Sequence, residues 1–180
     1  MKGGNNKLFA QFLANFMKEQ NIDNSQYALI AGYCVAQIVE RNVTDLDVIV
    51  TEEAYKKLSL VLRKGTTEIS KTSKLKLDTE YGEIEFFERE KHGFPSDEFS
   101  LDNLHKNNML VNDEFGNPYL NREATINHYA DVKKVFILGD KHEITKERLE
   151  KNISHLEKIY NVSPSNDLNE KINKLKSLIY

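Results

Sequence analysis

The segment 31–47 constrains the fold of this 180-residue chain more than any other. A short apolar run ends at Gly32, and Asp45 and Asp47 begin a second one. Because side chains alternate along a strand, the two aspartates share one face. Two carboxylates about 7 Å apart on a strand repel each other unless a cation neutralises them. Mg²⁺ suits such oxygen-rich sites and also takes substrate phosphates as ligands. The segment therefore predicts a metal-assisted phosphoryl or nucleotidyl transfer site.

A later segment with strand-like alternation supplies further carboxylates. Glu83 and Glu85 alternate with Ile84 and Phe86, so the two glutamates share one strand face. Taken alone, they are typical of solvated charges on an edge strand. After an Asp-x-Asp strand, they also fit a site in which three carboxylates from two strands bind two cations about 3.5–4 Å apart. One cation would lower the pKa of an attacking hydroxyl, and the other would neutralise a triphosphate and its leaving pyrophosphate.

Composition limits the other possibilities. With 39% hydrophobic residues the chain can form a core, and its net charge of -3 gives no general attraction to nucleic acid. The single cysteine, Cys34, excludes an internal disulfide and is typical of a reducing compartment. The longest uncharged, mostly apolar run, residues 27–39, is too short and too interrupted to cross a bilayer. The first residues are polar and lack a signal-peptide core, so we expect a cytoplasmic protein with no membrane partner.

Hydrophobic spacing predicts an α+β chain that forms one structural unit with three segments. Residues 1–90 form a core in which a small mixed or antiparallel sheet is flanked by helices. Residues 91–121 form a loop-rich connection with one short element near 101–110. Residues 122–180 form a C-terminal helical region packed on the core, with helices at 123–138, 145–160 and 167–180. Within the core, the patterns predict helices at 7–20, 33–40 and 51–63, and strands at 27–30, 46–50 and 66–88, the last with a turn at 81–82.

The order of these motifs resembles the nucleotidyltransferase superfamily of DNA polymerase beta. Gly32-Tyr33 is followed after eleven residues by Asp45-Leu46-Asp47, and Ile84-Glu85-Phe86 places a carboxylate on a later strand. The superfamily pattern is Gly-[Gly/Ser], about nine to thirteen residues, [Asp/Glu]-x-[Asp/Glu], and a later single carboxylate. Arg41 and Thr44 further resemble the approach to this motif in small stand-alone members, which include antibiotic-modifying enzymes and toxins. The similarity covers roughly residues 27–88, and it implies a mixed sheet of the nucleotidyltransferase type.

The resemblance implies a role for each matching carboxylate. Asp45, Asp47 and Glu85 would be the catalytic residues and the metal ligands, with Glu83 as the substitute for Glu85. Glu85 would bind the catalytic metal and could accept the proton of the acceptor hydroxyl. The implied cofactor is Mg²⁺, with Mn²⁺ as an alternative, and the implied co-substrate is an NTP such as ATP.

The same resemblance implies that Gly32, Tyr33, Thr44 and Arg41 bind the nucleotide. Gly32 has no Cβ, so phosphates could approach its backbone closely. Tyr33 departs from the superfamily pattern, which has Gly or Ser at this position. Its ring would crowd the triphosphate, turn aside and leave only backbone contacts, or face the core from the following helix.

Three functions are open on these grounds. The first is an enzyme that transfers a nucleoside monophosphate from an NTP to an acceptor hydroxyl and releases pyrophosphate. Acidic balance and small size favour a small-molecule acceptor over RNA or protein. The second is a catalytically degenerate binding module of the same fold, such as a toxin–antitoxin component, which the departure at Tyr33 favours. The third is a metal-dependent hydrolase that uses the same carboxylates on a phosphoester.

Overall fold

A computed structural model describes residues 4–66, 73–131 and 146–179. Its strands are β1 (Tyr27–Ile30), β2 (Asp45–Val50), β3 (Arg63–Thr66), β4 (Ser73–Thr79), β5 (Gly82–Glu88), β6 (Leu110–Asn112) and β7 (Pro118–Leu120). The helices in the described ranges are α1 (Gly4–Glu19), α2 (Gly32–Ile38), α3 (Glu52–Ser59), α4 (Leu101–Lys106), α5 (Arg122–Ala130), α6 (Lys146–Val162) and α7 (Asn166–Lys176), with a 3₁₀ turn at Asp97–Phe99. The strands form one mixed sheet in the order β3-β4-β5-β2-β1-β7-β6.

Local sequence signals explain where several helices begin. Thr51, Asn121 and Ser165 each accept a hydrogen bond from the backbone N–H three residues further on, at the starts of α3, α5 and α7. Such N-caps satisfy donors that a helix leaves unpaired in its first turn, and each contributes typically about 1 kcal/mol. In α1, by contrast, it is burial that fixes the helix, since Phe9 and Leu13 are fully buried against the sheet.

The two faces of the sheet are covered differently. On one face, α1 and α3 pack on apolar side chains of the central strands to form the main core, which includes Phe9, Leu13, Leu46, Val48, Leu58, Leu75, Ile84 and Phe86. On the other face, α2, α4 and α5 cover β1 and β7 through residues that include Ala28, Cys34, Leu104, Leu120 and Ala124. The last two helices pack on α2 and α5, where Val35 meets residues such as Ile126, Leu156 and Ile172. The C-terminal helices therefore share a core with α2.

Strand β2 lies between an antiparallel and a parallel neighbour. It pairs antiparallel with β1, and it pairs parallel with β5 in a register that places Asp45 beside Glu83 and Asp47 beside Glu85. Leu46, Val48, Ile84 and Phe86 point into the main core from these two strands. Because alternate residues take opposite faces, all four carboxylates lie together on the face away from α1.

The predicted fold class, α+β with a mixed sheet, flanking helices and a C-terminal helical region, is confirmed. The helix predicted at 51–63 is too long, because α3 ends at Ser59. Lys64 and Gly65, expected to stop that helix, instead lie in β3, which pairs antiparallel with β4. None of the described helices is long and apolar enough to cross a membrane.

The connection at 91–121 holds more structure than its composition predicts. It contains the 3₁₀ turn, α4 and the hairpin of β6 and β7, and β7 joins the sheet beside β1 through Leu29 and Tyr119. The next helix, predicted over 123–138, ends at Ala130. The rest of that prediction, from residue 132 onward, lies outside the described residues, as do residues 67–72 of the predicted strand region.

Candidate active site

Asp45, Asp47 and Glu85 lie together on one face of the sheet, as the sequence predicts. Asp47 and Glu85 occupy paired positions on β2 and β5, and Asp45 precedes Asp47 by one pleat repeat. Asp45 is exposed, whereas Asp47 and Glu85 are partly buried. The structure therefore brings the three predicted catalytic carboxylates to one place, with Glu83 beside Asp45.

Asp45 and Glu85 both affect the ionisation of Asp47. Burial, followed by the charges of Asp45 and Glu85, raises the pKa of Asp47 to about 6, and Lys151 and Lys74 oppose this shift. Burial also acts to raise the pKa of Glu85, but hydrogen bonds from lysines outweigh it and hold that pKa below its usual value. Mutual repulsion of this kind is what a bound cation would relieve.

Two lysines of β4 contact the glutamates. The ammonium of Lys74 is bonded to Oε1 of Glu85. The ammonium of Lys76 lies 2.8 Å from both carboxylate oxygens of Glu83 and 3.2 Å from Oε1 of Glu85. Both glutamates thus already carry positive partners.

Asp45, Asp47 and Glu85 line a cleft with a cavity volume of about 580 Å³. Helix α6 forms the opposite wall and contributes Arg148, Lys151, Asn152 and His155. Sequence reasoning missed these residues, although their spacing of three, four and seven positions marks one polar face of a helix. That face lies beside the apolar residues Leu149, Ile153 and Leu156, which pack against α2 and α5.

The turn at Ala31 and Gly32, together with Arg41, forms the part of the cleft wall near Asp45. Ala31, between β1 and α2, has a φ of 54° and a ψ of -123°, a conformation that strains a residue with a Cβ. A Cβ at Gly32 would lie 3.2 Å from Nη2 of Arg41. Nη1 of Arg41 lies 3.4 Å from Nδ1 of His155. Burial, then Arg41, lowers the pKa of His155 to about 4, so its neutral ring can accept from the guanidinium.

Two of the predicted nucleotide-binding residues do not line this cleft. Tyr33 is 2% exposed, and its hydroxyl donates to Oδ2 of Asp113 at 2.7 Å. Its ring packs edge-on against Tyr119 and lines a separate cavity on the far side of α2. Thr44 is exposed and donates to Oδ1 of Asp45 at 3.1 Å. The binding roles of both residues stay predictions.

Aromatic side chains form another part of the cleft wall. Phe87, Phe94, His128 and Tyr129 line it, together with Pro95. The ring of His128 packs edge-on between Phe99 and Tyr129. Burial, then Arg148, lowers the pKa of His128 to about 4, and its Nδ1 has no hydrogen-bond partner among the described residues. The cleft thus combines carboxylates, basic groups and an apolar surface.

The two aspartates and Glu85 differ in how well they suit a divalent cation. Across residues 4–66, 73–131 and 146–179, no group of three or more Asp, Glu, His or Cys side chains has the geometry to hold a metal ion. Asp45 and Asp47 supply hard oxygen ligands, and after burial the negative charges of Asp45 and Glu85 are the next causes of the raised pKa of Asp47. Glu85, in contrast, is bonded to Lys74. The two aspartates would hold the ion through carboxylate oxygens that no lysine contacts among the described residues, whereas Glu85 would have to leave Lys74.

Two solved structures are similar to this chain. One is a protein from Thermotoga maritima described as a candidate nucleotidyltransferase, with a TM-score of 0.49 and 14% identity over 82% of this chain and 94% of the other. The second is a CCA-adding enzyme in complex with ATP, with a TM-score of 0.44 and 12% identity; the match covers 97% of this chain but only 45% of the enzyme. No protein-family model matches the sequence, and no curated protein matches it either.

Proposed function

We propose that this protein transfers a nucleoside monophosphate from an NTP to an acceptor hydroxyl and releases pyrophosphate. The observation that carries the proposal is that Asp45, Asp47 and Glu85 share one cleft with Arg41 and Lys151. Carboxylates can hold a cation, and the basic groups opposite can hold phosphates. A cleft with only one of these two sets would not suit a metal-bound triphosphate.

Asp45 and Asp47 are the residues that would hold Mg²⁺ or Mn²⁺ in this proposal. When bound, the cation neutralises phosphate charge and lowers the pKa of an attacking hydroxyl. Glu85, next to Asp47 on the neighbouring strand, is the proposed acceptor of the hydroxyl proton. Holding the reacting groups in line supplies much of the rate enhancement in reactions of this kind, and it requires little covalent chemistry from the protein.

The remaining walls suit the other parts of an NTP. Arg41 and Lys151 would contact phosphate oxygens, the guanidinium by paired hydrogen bonds and the ammonium as a point charge. Phe87 and Phe94 offer apolar surface to the base. The cavity of about 580 Å³ lies within the range of small-molecule sites, which is roughly 300–1,000 Å³. These features favour a compact acceptor over a long nucleic acid.

Label transfer tests the proposal directly. Each radiolabelled NTP is incubated with Mg²⁺ and candidate acceptors, and pyrophosphate release is followed for the wild type, Asp47→Asn and Asp102→Asn. Asp102 lies on α4 and is exposed, so its variant controls for the loss of one carboxylate. We expect Asp47→Asn to lose activity and Asp102→Asn to keep it. Equal activity of Asp47→Asn and the wild type would end the proposal.

A binding module without turnover is the second candidate, and one observation favours it. Glu85 is bonded to Lys74, so the third carboxylate of the proposed centre is already neutralised. Such a protein, for example a toxin–antitoxin component, would bind an NTP in the same cleft and leave it intact. Calorimetry with NTP and Mg²⁺, followed by product analysis, separates the two candidates: binding without pyrophosphate favours the module. Release of free nucleoside monophosphate without any acceptor would favour a hydrolase instead.

A further inference from the structure

Lys74 and Glu85 form an ion pair in a shielded position. Their side chains are 13% and 16% exposed, respectively, and the ammonium is bonded to Oε1 of the carboxylate. The two residues lie on adjacent antiparallel strands, where Lys76, not Lys74, is directly opposite Glu85. Lys74 therefore reaches Glu85 diagonally, across the carboxylate face of the sheet.

An ammonium and a divalent cation compete for the same carboxylate oxygen. A lone pair that accepts a hydrogen bond from Lys74 is not available to a metal, and the positive charge of Lys74 repels a second cation nearby. Because the pair is shielded from water, salt screens this repulsion only weakly. Asp45 and Asp47 have no lysine bonded to their carboxylates among the described contacts.

We propose that Lys74 sets the affinity of the site for divalent cations by withholding Glu85 from the metal. The protein without nucleotide then binds one cation, through Asp45 and Asp47, and Glu85 stays with its lysine. This inference rests on the proposed function for the assignment of a cation to the two aspartates. It predicts that removing the ammonium turns Glu85 into an additional ligand.

Lys76 provides a matched control on the same strand. Its ammonium contacts both oxygens of Glu83 at 2.8 Å and lies farther from Glu85, at 3.2 Å. Lys74→Met and Lys76→Met remove the same charge from the same face of β4. A difference between the two variants therefore reports the specific contact of Lys74, and not the general increase in negative charge.

The experiment measures Mn²⁺ binding to the full chain by calorimetry at pH 7.5, without nucleotide. The variants are Lys74→Met, Lys76→Met, Glu85→Gln and the double variant Lys74→Met with Glu85→Gln. We expect Lys74→Met to bind Mn²⁺ roughly tenfold more tightly, the lower end of the effect that groups around a metal's ligands have on affinity. Lys76→Met should change affinity less, Glu85→Gln should leave it within about twofold, and the double variant should lose the gain.

Several results would overturn the inference. They are unchanged or weaker Mn²⁺ binding by Lys74→Met, a gain that persists in the double variant, or no Mn²⁺ binding by the wild type. Loss of a shielded ion-pair partner can destabilise the fold. Circular dichroism therefore accompanies each titration, and Lys74→Arg, which keeps the charge, should bind like the wild type. If Lys74→Met does not fold, a tenfold loss in Glu85→Gln decides against the inference. Because no NTP is present, failure of nucleotidyl transfer would leave this result standing.

Discussion

Asp47 and Glu85 lie side by side on the parallel strands β2 and β5, so two carboxylates meet at one point of the sheet. The charge of Glu85 is one of the causes that raise the pKa of Asp47 to about 6, after burial and Asp45. The unfolded chain ionises this group near its ordinary pKa of 3.8. Keeping Asp47 ionised in the folded protein therefore lowers the free energy of unfolding. This loss is complete above about pH 6 and absent below about pH 4.

We expect Asp47→Asn to stabilise the metal-free protein at pH 7.5, because the amide carries no charge. The shift in pKa corresponds to about 3 kcal/mol at most, and allowing for solvent access we expect about 1–2 kcal/mol. Urea denaturation at pH 7.5 and at pH 4 measures the difference, which should vanish at the lower pH. If the variant is less stable than the wild type at both pH 7.5 and pH 4, the ionised carboxylate of Asp47 is not what lowers the stability of the wild type. Mg²⁺ should stabilise the wild type but not the variant.

Lys151 on α6 faces the carboxylates across the cleft, and it opposes the rise in the pKa of Asp47. If the cleft holds a triphosphate, Lys151→Met removes one charge that contacts phosphate. We expect the Kd for Mg²⁺-ATP to rise roughly tenfold, equivalent to about 1.4 kcal/mol. Lys158→Met, an exposed lysine of the same helix outside the cleft lining, should stay within about twofold. Equal effects of the two variants in calorimetry would argue against a phosphate contact.

Ala31 holds a backbone conformation that glycine adopts more readily. Its φ of 54° with a ψ of -123° costs about 1–3 kcal/mol for a residue with a Cβ. Glycine would relieve this strain, but its greater backbone entropy in the unfolded chain would take back about 0.5–1 kcal/mol of the stability gained. We expect Ala31→Gly to stabilise the protein by about 1 kcal/mol in urea denaturation. Ala36→Gly, within α2, is the control and should destabilise by a similar amount. Destabilisation by both substitutions would mean that Ala31 is unstrained.

Tyr33 donates its hydroxyl to Asp113 on the side of α2 that faces away from the carboxylates. Tyr33→Phe should therefore cost about 1–2 kcal/mol of stability and leave the affinity for Mg²⁺-ATP within about twofold. Thermal unfolding and calorimetry on one preparation give both values. A folded variant that binds ATP tenfold more weakly would place the hydroxyl in the nucleotide site, which the sequence resemblance left open.

His128 makes the fold sensitive to acid. Its pKa is about 4 in the folded protein, chiefly because it is buried, against 6.5 as the ordinary value. As the pH falls, His128 is therefore protonated in the unfolded chain before it is protonated in the folded protein. The stability that comes from keeping the ring neutral is complete above about pH 6.5 and is lost as the pH falls towards 4. His128→Phe keeps the edge-on ring contacts and removes this loss. We expect the difference in free energy of unfolding between His128→Phe and the wild type to shift in favour of the variant by about 1–2 kcal/mol as the pH falls from 8 to 5. An advantage that stays constant over this range would exclude titration as the cause.

The sequence predicts those parts of the site that depend on strand alternation and order along the chain. Asp45, Asp47 and Glu85 follow from period-two patterns on two segments, and a parallel register then brings them together. The contact of Lys74 with Glu85 could not be predicted in this way. It depends on the pairing register of β4 and on a diagonal reach, neither of which a local pattern encodes.

The short strand β7 shows a second limit. Pro118–Leu120 spans three residues, too few for a recognisable period, and it becomes a strand because it pairs with β1 and β6. Helix α6 was predicted from its apolar stripe, yet that stripe does not say what the opposite face meets. Arg148 and Lys151 gain their place in the cleft only through the packing of α6 on α2 and α5.

The cleft joins parts of the chain that are synthesised at different times. Strands β2 and β5 emerge from the ribosome well before α6, which supplies the opposite wall. A partly made chain would thus display Asp45 and Asp47 to water with no lysine or arginine of α6 above them. In the proposed function, nucleotide capture would begin only once this later helix has docked on α2 and α5.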